Sequence, residues 1–359
     1  MQVRIDHYFN QLDFDNMRCK YKAIDLFAGI GGIRLGFQQI FGEEIRFVFA
    51  NEINDYCCQT YFENFGEDPK GDIRKVNIKK IPDFDILLAG FPCQAFSIAG
   101  RKNGFEDDRG NLFFKIEDIL REKQPISFLL ENVKHLEHHD KGKTFSIIKE
   151  ILINKLGYDI HYKTLNASDF SLPQNRERIY IVGFKEDLEF KFPEGDKKNV
   201  KIENILETEV DIKYFLSQQY LNSLKKHKAR HKAKGHGFGY VVIPHESIAN
   251  TIVCGGMGKE RNLIKDKITY DSWKIGDNPL NKKNNEGIRK MTEREWARLQ
   301  GFPESFKFPV SMTQTYKQLA NSVPVPVIKA IAIQMKSSLD QYFNLKSEED
   351  LLEKAITRN

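Results

Sequence analysis

The sequence has no apolar run approaching the roughly 20 residues needed to span a bilayer. Its start, Met1-Gln2-Val3-Arg4-Ile5-Asp6-His7, has no signal-peptide core. These absences argue against a helical membrane protein and set the expected location as the cytoplasm. Cysteine is scarce and odd in number: Cys19, Cys57, Cys58, Cys93 and Cys254 lack paired metal-ligand spacing. That argues against a disulfide framework and fits a reducing compartment. His227 and His231 stand four apart, but no further Cys or carboxylate pattern accompanies them. The cluster His135, His138 and His139 is no better equipped, so no metal is expected. Internal repeats are missing too. The net charge of +5 is mild and matters only where it is clustered.

What is present is ordinary in bulk and specific in detail. A chain of 359 residues is long for one core and suggests about two domains. Hydrophobic residues at 40% and charged residues at 29% are normal for a globular protein. The stretch that organises the chain is Gly90-Phe91-Pro92-Cys93-Gln94-Ala95-Phe96-Ser97. It follows the apolar run Phe84-Asp85-Ile86-Leu87-Leu88-Ala89, a short buried strand. Gly90 permits any backbone angle and Pro92 fixes its own, so Cys93 falls on a tight loop at the strand's carboxyl end. Ligands of open parallel sheets sit at that end. Cys93 is therefore either a nucleophile or a small buried apolar residue.

Upstream, Tyr21 to Leu26 is strand-like, and the glycines at 29, 31 and 32 make a tight turn. Ile33, Phe37, Ile40 and Phe41 then recur at helical spacing. Such a turn brings backbone N–H groups close to a ligand at a helix N-terminus, without the spacing of the dinucleotide fingerprint. A second strand, Ile45 to Ala50, ends in Asn51-Glu52, where a ribose diol is gripped in such folds; a solvated loop carboxylate is the alternative. Residues 54–65 read as helix, Gly71-Asp72-Ile73 as a strand-end turn, and Leu112 to Leu120 as helix. Ile126 to Leu130 is a buried strand ending in Glu131-Asn132-Val133. A helix near 143–156, a strand near 158–165, Gln174-Asn175-Arg176-Glu177-Arg178 and an apolar run to Phe184 follow. Strands alternating with helices give an α/β fold with a doubly wound, mostly parallel sheet.

From about 186 the composition shifts to Lys, Asn and Glu, with an intensely basic run at 221–234. Such a run is either the footprint of phosphate contacts or a solvated helix face. Glycines cluster at 235–239 and 255–258. Thr292 as N-cap and Glu295 three residues on predict a capped helix closed by Gly301 and Pro303. The expected organisation is a first domain over 1–187, a smaller second domain over 188–315, and a segment over 316–359 that returns to the first. The tail after about 345 is charged.

With these residues in view the chain resembles the DNA cytosine-5 methyltransferases from about Tyr21 to about Leu339. The motifs, in the family's order, are Asp25-Leu26-Phe27-Ala28-Gly29-Ile30-Gly31-Gly32, Pro92-Cys93-Gln94, Glu131-Asn132-Val133, Gln174 to Arg178, Arg289 to Pro303, and Asn321-Ser322-Val323. Residues 214–264, through Gly237-Phe238-Gly239-Tyr240 and Gly255 to Leu263, look more particularly like HpaII-type restriction–modification methyltransferases. That likeness implies CCGG or a related target. The family resemblance implies the class I fold that uses S-adenosylmethionine and a double-stranded DNA substrate; a single chain that holds both domains is expected to act as a monomer on a short palindrome. A cognate restriction endonuclease would share the target.

The resemblance also implies roles. Cys93 would attack carbon 6 of cytosine, Glu131 would hold N3 and the exocyclic amine, and Arg178 would contact the base oxygen with Arg176 close by. Phe27 would stack on adenine beside the Gly29, Ile30, Gly31 and Gly32 turn. Glu52 would hold the ribose, and Asp72 with Ile73 the adenine edge. Pro92, Leu112, Asn321 and Val323 would wall the rest, with Ile53 where some relatives carry Trp. A target base inside a duplex must be flipped out. Lys225, Lys226, Lys228 and Arg230 are expected on phosphates, Thr251 bracing the flipped nucleotide, Arg261 reading guanine, and Gln94 and Ser97 on DNA from the Cys93 loop.

Three other classes compete with this reading. An RNA cytosine-5 methyltransferase would share Cys, Glu and cofactor loop, but the long segment 186–288 favours a dedicated DNA-recognition domain. A non-catalytic DNA-binding regulator is expected to have lost Cys93 or Glu131, and both are present. A thiol hydrolase needs a His general base at a strand end, and none is suitably placed.

Overall fold

The computed structural model describes residues 19–92, 112–196, 198–237, 239–255, 258–266 and 283–356. Among them no helix is long and apolar enough to cross a membrane. The chain divides into two compact units. The first holds Met1–Leu165, Glu177–Glu194 and Val327–Asn359; the second holds Asn166–Arg176 and Gly195–Pro326.

These limits differ from the boundaries expected at 187/188 and 315/316. The chain first enters the second unit at Asn166, because the two-residue strand β6 (Gln174–Asn175) pairs there with β9 (Ala249–Asn250). A strand that short carries no periodicity to read. The return comes at Val327, after Val325 N–H has bonded the carbonyl of Gln300 within the second unit.

The first unit is built on a six-stranded sheet. Its strands are β1 (Tyr21–Leu26), β2 (Ile45–Asn51), β3 (Ile86–Gly90), β4 (Ser127–Val133), β5 (Asp159–Asn166) and β7 (Glu177–Phe184), ordered β2-β1-β3-β4-β7-β5. β1, β3 and β4 are buried along nearly their whole length, as strands covered on both faces must be. β2-β1-β3-β4 run parallel, and β7 pairs antiparallel to β4. Helices α1 (Gly32–Phe41), α2 (Asp55–Phe65), α3 (Leu112–Lys123) and α4 (Lys143–Glu150) connect or flank the strands. α1 buries Ile33, Phe37 and Phe41 on one stripe, and Gly42 ends it. Ile116, Ile119 and Leu120 of α3 join Leu87, Phe128 and Leu130 of the sheet in one apolar core. Strand order reverses between β1 and β3, which makes the carboxyl ends of those strands the topological switch point.

The second unit has a three-stranded sheet, β8 (Val242–Ile243), β10 (Leu263–Lys265) and β11 (Ile288–Lys290), in the order β11-β10-β8. Its helices are the basic α5 (Gln218–Ala233), α6 (Glu293–Leu299) and α7 (Met312–Asn321). Only Leu221 and Leu224 of α5 are buried, packed with Leu216, Leu263 and Ile288. Thr292 and Glu295 form the reciprocal cap of α6, as their spacing predicts.

The last helix, α8 (Val325–Ile356), buries Ile328, Ile331, Met335 and Leu339. Asp340 on it accepts from Lys20 at 2.6 Å, Tyr21 at 2.5 Å and Lys336 at 2.7 Å. Partial burial works to raise the Asp340 carboxyl, but these donors, Lys20 foremost, outweigh it and hold it at about 2. A depressed acid contributes stability above its unfolded value and loses it as pH falls through the folded one. Asp340→Asn is therefore expected to destabilise the protein at pH 7 by about 1 kcal/mol, once solvent screening of a one-third-exposed pair is allowed for. Urea titrations of both proteins should converge as pH drops from 4 toward 2. A constant difference would count against the ion cluster.

Candidate active site

Two strand ends meet at the switch point, and each carries one half of the site. On the β1 side the chain turns left-handed three times, at Phe27 (φ 53°), Gly29 (φ 56°) and Gly31 (φ 80°). Gly31 is obligatory on two counts, since a Cβ there would also lie 2.2 Å from the ring of Phe65. The turn is tied to β2: Ala28 N–H bonds the carbonyl of Asn51, and Gly29 N–H donates to Glu52 Oε2 at 2.8 Å. Glu52 Oε1 accepts from Asn54 N–H at 2.8 Å, which leaves each oxygen a further lone pair. Phe27 is half-buried, packed on the sheet core. Ile53 is 63% exposed. Ile73 is buried, and Asp72 is bound by Arg74, whose guanidinium holds the carboxyl below its usual range. Leu112 is half-buried and Pro92 exposed.

Beneath this turn lies a network that sequence reasoning missed. Asp25, at the carboxyl end of β1, is 1% exposed, and its Oδ2 has no hydrogen-bond partner among the described residues. Burial pushes its carboxyl well above the usual range; Arg34 opposes that and Glu52 adds to it. Arg34 is buried too, donating to Tyr61 Oη at 2.9 Å and to both oxygens of Glu67. An Asp in a Gly-rich motif and an Arg inside an apolar helical stripe are the only local signals of it.

On the other side, β3 and β4 bring Gly90 into register with Glu131. A Cβ on Gly90 would lie 3.4 Å from Glu131 Oε2, so the carboxylate stands over the start of the loop that leads to Cys93. Asn132, also unpredicted, is buried and donates from Nδ2 to the Phe91 carbonyl at 2.9 Å, fixing that loop's departure. Arg178 Nε lies 3.2 Å from Glu131 Oε1, both side chains being only 11–13% exposed. A surface salt bridge is thereby excluded. The described chain stops at Pro92, so Cys93, Gln94 and Ser97 lie outside the described residues.

Arg176 differs from expectation. It belongs to the second unit, is 1% exposed, and donates to the carbonyls of Ile252, Ala320 and Ser322. A guanidinium engaged by three carbonyls of the second unit braces that unit. Asn321 and Val323 also lie in the second unit, the first exposed and the second buried. Thr251 donates to the Asn175 carbonyl. The Asn262 side chain bonds both backbone groups of Asn250, whose own amide donates to the carbonyl of the exposed Arg261. Of the α5 cations, Lys225 is paired with Glu286 and Lys228 donates to the Tyr240 carbonyl, while Lys226 and Arg230 are exposed.

A parallel sheet with its switch point at a left-handed glycine turn, and an acid closing the second strand, define a class I methyltransferase fold. Solved structures agree on that fold: an Entamoeba histolytica methyltransferase, EhMeth, superposes with TM-score 0.71 at 19% identity, over 89% of this chain and 99% of that one. The S. pombe Dnmt2 methyltransferase does so at 0.70 and 22%, over 88% and 99%. Residues 21–337 match the family of C-5 cytosine-specific DNA methylases. The type II methyltransferase M.HpaII of Haemophilus parainfluenzae is 50% identical over 92% of this chain and 93% of its own. M1.ScrFI of Lactococcus lactis subsp. cremoris is 47% identical over 91% and 81%. The chain belongs to the C-5 cytosine-specific DNA methylases and is a methyltransferase enzyme.

Proposed function

We propose that the enzyme methylates carbon 5 of cytosine in a short duplex target, CCGG or a related sequence, and so protects DNA from a cognate restriction endonuclease. The observation that carries the chemistry is the register of Gly90 with Glu131, which sets a carboxylate over the loop leading to the thiol. The target rests on the likeness of residues 214–264 to HpaII-type enzymes and on the 50% identity with M.HpaII.

Carbon 5 of cytosine is too weak a nucleophile to attack a methyl sulfonium unaided, so covalent help is needed. The Cys93 thiolate adds to carbon 6, and the electron pair released makes carbon 5 enamine-like. Glu131 bonds N3 and the exocyclic amine and shares a proton as charge moves onto the ring. Arg178 holds Glu131 in place and reaches the base oxygen. S-adenosylmethionine, when bound, supplies the electrophilic methyl. Loss of the carbon 5 proton then breaks the Cys93–carbon 6 bond and frees the thiolate. None of this can occur on a stacked base, so the cytosine is flipped out. Thr251 braces it, Arg261 reads guanine, and Lys226 and Arg230 contact phosphates.

The glycine turn fits the cofactor: Phe27 beside it is only half-buried, and Glu52 keeps acceptor capacity for a ribose diol. Gly29, Ile30, Gly31 and Gly32 would line the approach, Asp72 and Ile73 the adenine edge, and Ile53, Pro92, Leu112, Asn321 and Val323 the walls. The enzyme acts as a monomer in the bacterial cytoplasm.

The test is tritium transfer from labelled S-adenosylmethionine to transfer RNA and to three duplexes, containing CCGG, a scrambled site, and CCGG already methylated on both strands, with Cys93→Ser alongside. Label on unmethylated CCGG alone, lost in the variant, is the expected result. Label on scrambled DNA discards the target but keeps the chemistry; label only on transfer RNA discards the DNA reading.

A further inference from the structure

The second unit holds a cavity of about 260 Å³ that none of the expected contacts uses, lined by Val253, Cys254, Lys259, Lys290, Tyr316 and Lys317 among others. It lies below the roughly 300–1,000 Å³ of a typical small-molecule site. Its charge is unbalanced. The one carboxylate on its wall among the described residues, Glu260, is already held by Lys290 at 3.2 Å and by the Tyr220 hydroxyl at 3.0 Å. Lys259 rests over the Tyr316 ring, 4.2 Å from its centre, and neither it nor Lys317 has a carboxylate partner among the described residues. Burial, and the like charges of Lys290 and Lys317, lower the Lys259 ammonium from its usual range, while Glu260 and Glu293 oppose them.

The backbone at Gly258, on the cavity wall, is tightly packed. Gly258 N–H bonds the Gly255 carbonyl at 3.0 Å, and a Cβ on Gly258 would lie 2.3 Å from the Val253 carbonyl, so no other residue fits the turn. On the basic helix α5, by contrast, Lys225 is paired with Glu286 and Lys228 donates to the Tyr240 carbonyl. The cavity also begins two residues after Thr251.

We infer that this pocket takes a backbone phosphate of DNA, with Lys259 and Lys317 as its ligands and Lys290 fixed beside them by Glu260. The inference rests on the enzyme's acting on DNA. The phosphate offsets one of the two positive charges that Lys259 and Lys317 leave unbalanced and anchors the strand close to Thr251, a positioning role with no sequence preference.

The test uses the full chain. In fluorescence-anisotropy titrations, Lys259→Gln/Lys317→Gln should weaken binding to CCGG and scrambled duplexes equally. The slope of log K against log salt should become shallower by about 0.9, the share of a single neutralised phosphate. KM for DNA should rise with kcat unchanged, and Lys191→Gln, at an exposed lysine of the first unit, should do nothing. Duplex should also slow alkylation of Cys254 in the wild-type chain, located by mass spectrometry. An unchanged slope with active wild type overturns the inference, as does weakening confined to CCGG, which would mean base reading. Protection of Cys254 by inorganic phosphate as strong as that by duplex, at matched ionic strength, would make this a free-phosphate site. A wild-type chain that modifies no DNA would sink the functional reading instead.

Discussion

Glu131→Gln is expected to lower kcat by about 10²–10⁴-fold while leaving the KM for S-adenosylmethionine near its wild-type value. The substitution keeps the shape of a side chain in register with Gly90 and removes only its charge and its ability to share a proton. Glutamine can still bond one edge of cytosine, so DNA affinity should survive better than turnover. That split marks an interaction made mainly in the transition state. The change also takes the counter-charge from Arg178, which keeps its bond to the Glu177 carbonyl, at a cost on the order of 1–3 kcal/mol in stability. Melting curves must therefore accompany single-turnover rates. A folded variant retaining more than a tenth of wild-type kcat would show that Glu131 only positions Arg178.

What is legible in the sequence divides along the range of the interactions. The glycine turn, the acid after β2 and the reciprocal cap of α6 are local: each is a few residues whose backbone demands are written beside one another. Arg176 shows the limit. Two residues from Arg178 it reads as the same cluster, yet its guanidinium bonds carbonyls at 252, 320 and 322, and no spacing announces a partner 146 residues away. Asn132 is the same case at shorter range, since its partner Phe91 becomes a neighbour only when β3 and β4 pair. Asp25 stands in a legible motif, but its burial above Arg34 and Tyr61 is a product of helix packing. Glu295 is legible through the bond it makes three residues back, to Thr292; its second duty depends on residues at 266 and 289.

That second duty carries the other large effect. Arg289→Met is expected to destabilise the second unit by about 3–5 kcal/mol. Arg289 is fully buried and binds Glu295 bidentately, both bonds at 2.8 Å, while its Nε donates to Asp266 Oδ2 at 2.7 Å. Glu295 in turn accepts from the backbone N–H groups of Thr292 and Glu207. One guanidinium therefore compensates two buried carboxylates that tie β11, α6 and the loop at 207 together. Methionine of similar length fills the space but leaves both carboxylates without that cation, and uncompensated buried charge is the expensive outcome. A loss of that size is a large share of a typical domain's 5–15 kcal/mol. The urea midpoint should fall sharply, and protease cleavage between 195 and 326 should appear first. Because the cluster is sealed from solvent, 1 M salt should not reproduce the effect in the wild-type protein. Adding Glu295→Gln to Arg289→Met should recover part of the loss by removing one stranded charge. A second unit that tolerates Arg289→Met with less than about 1 kcal/mol lost would mean that water or a nearby lysine reaches those carboxylates, and that α6 is held by its cap alone.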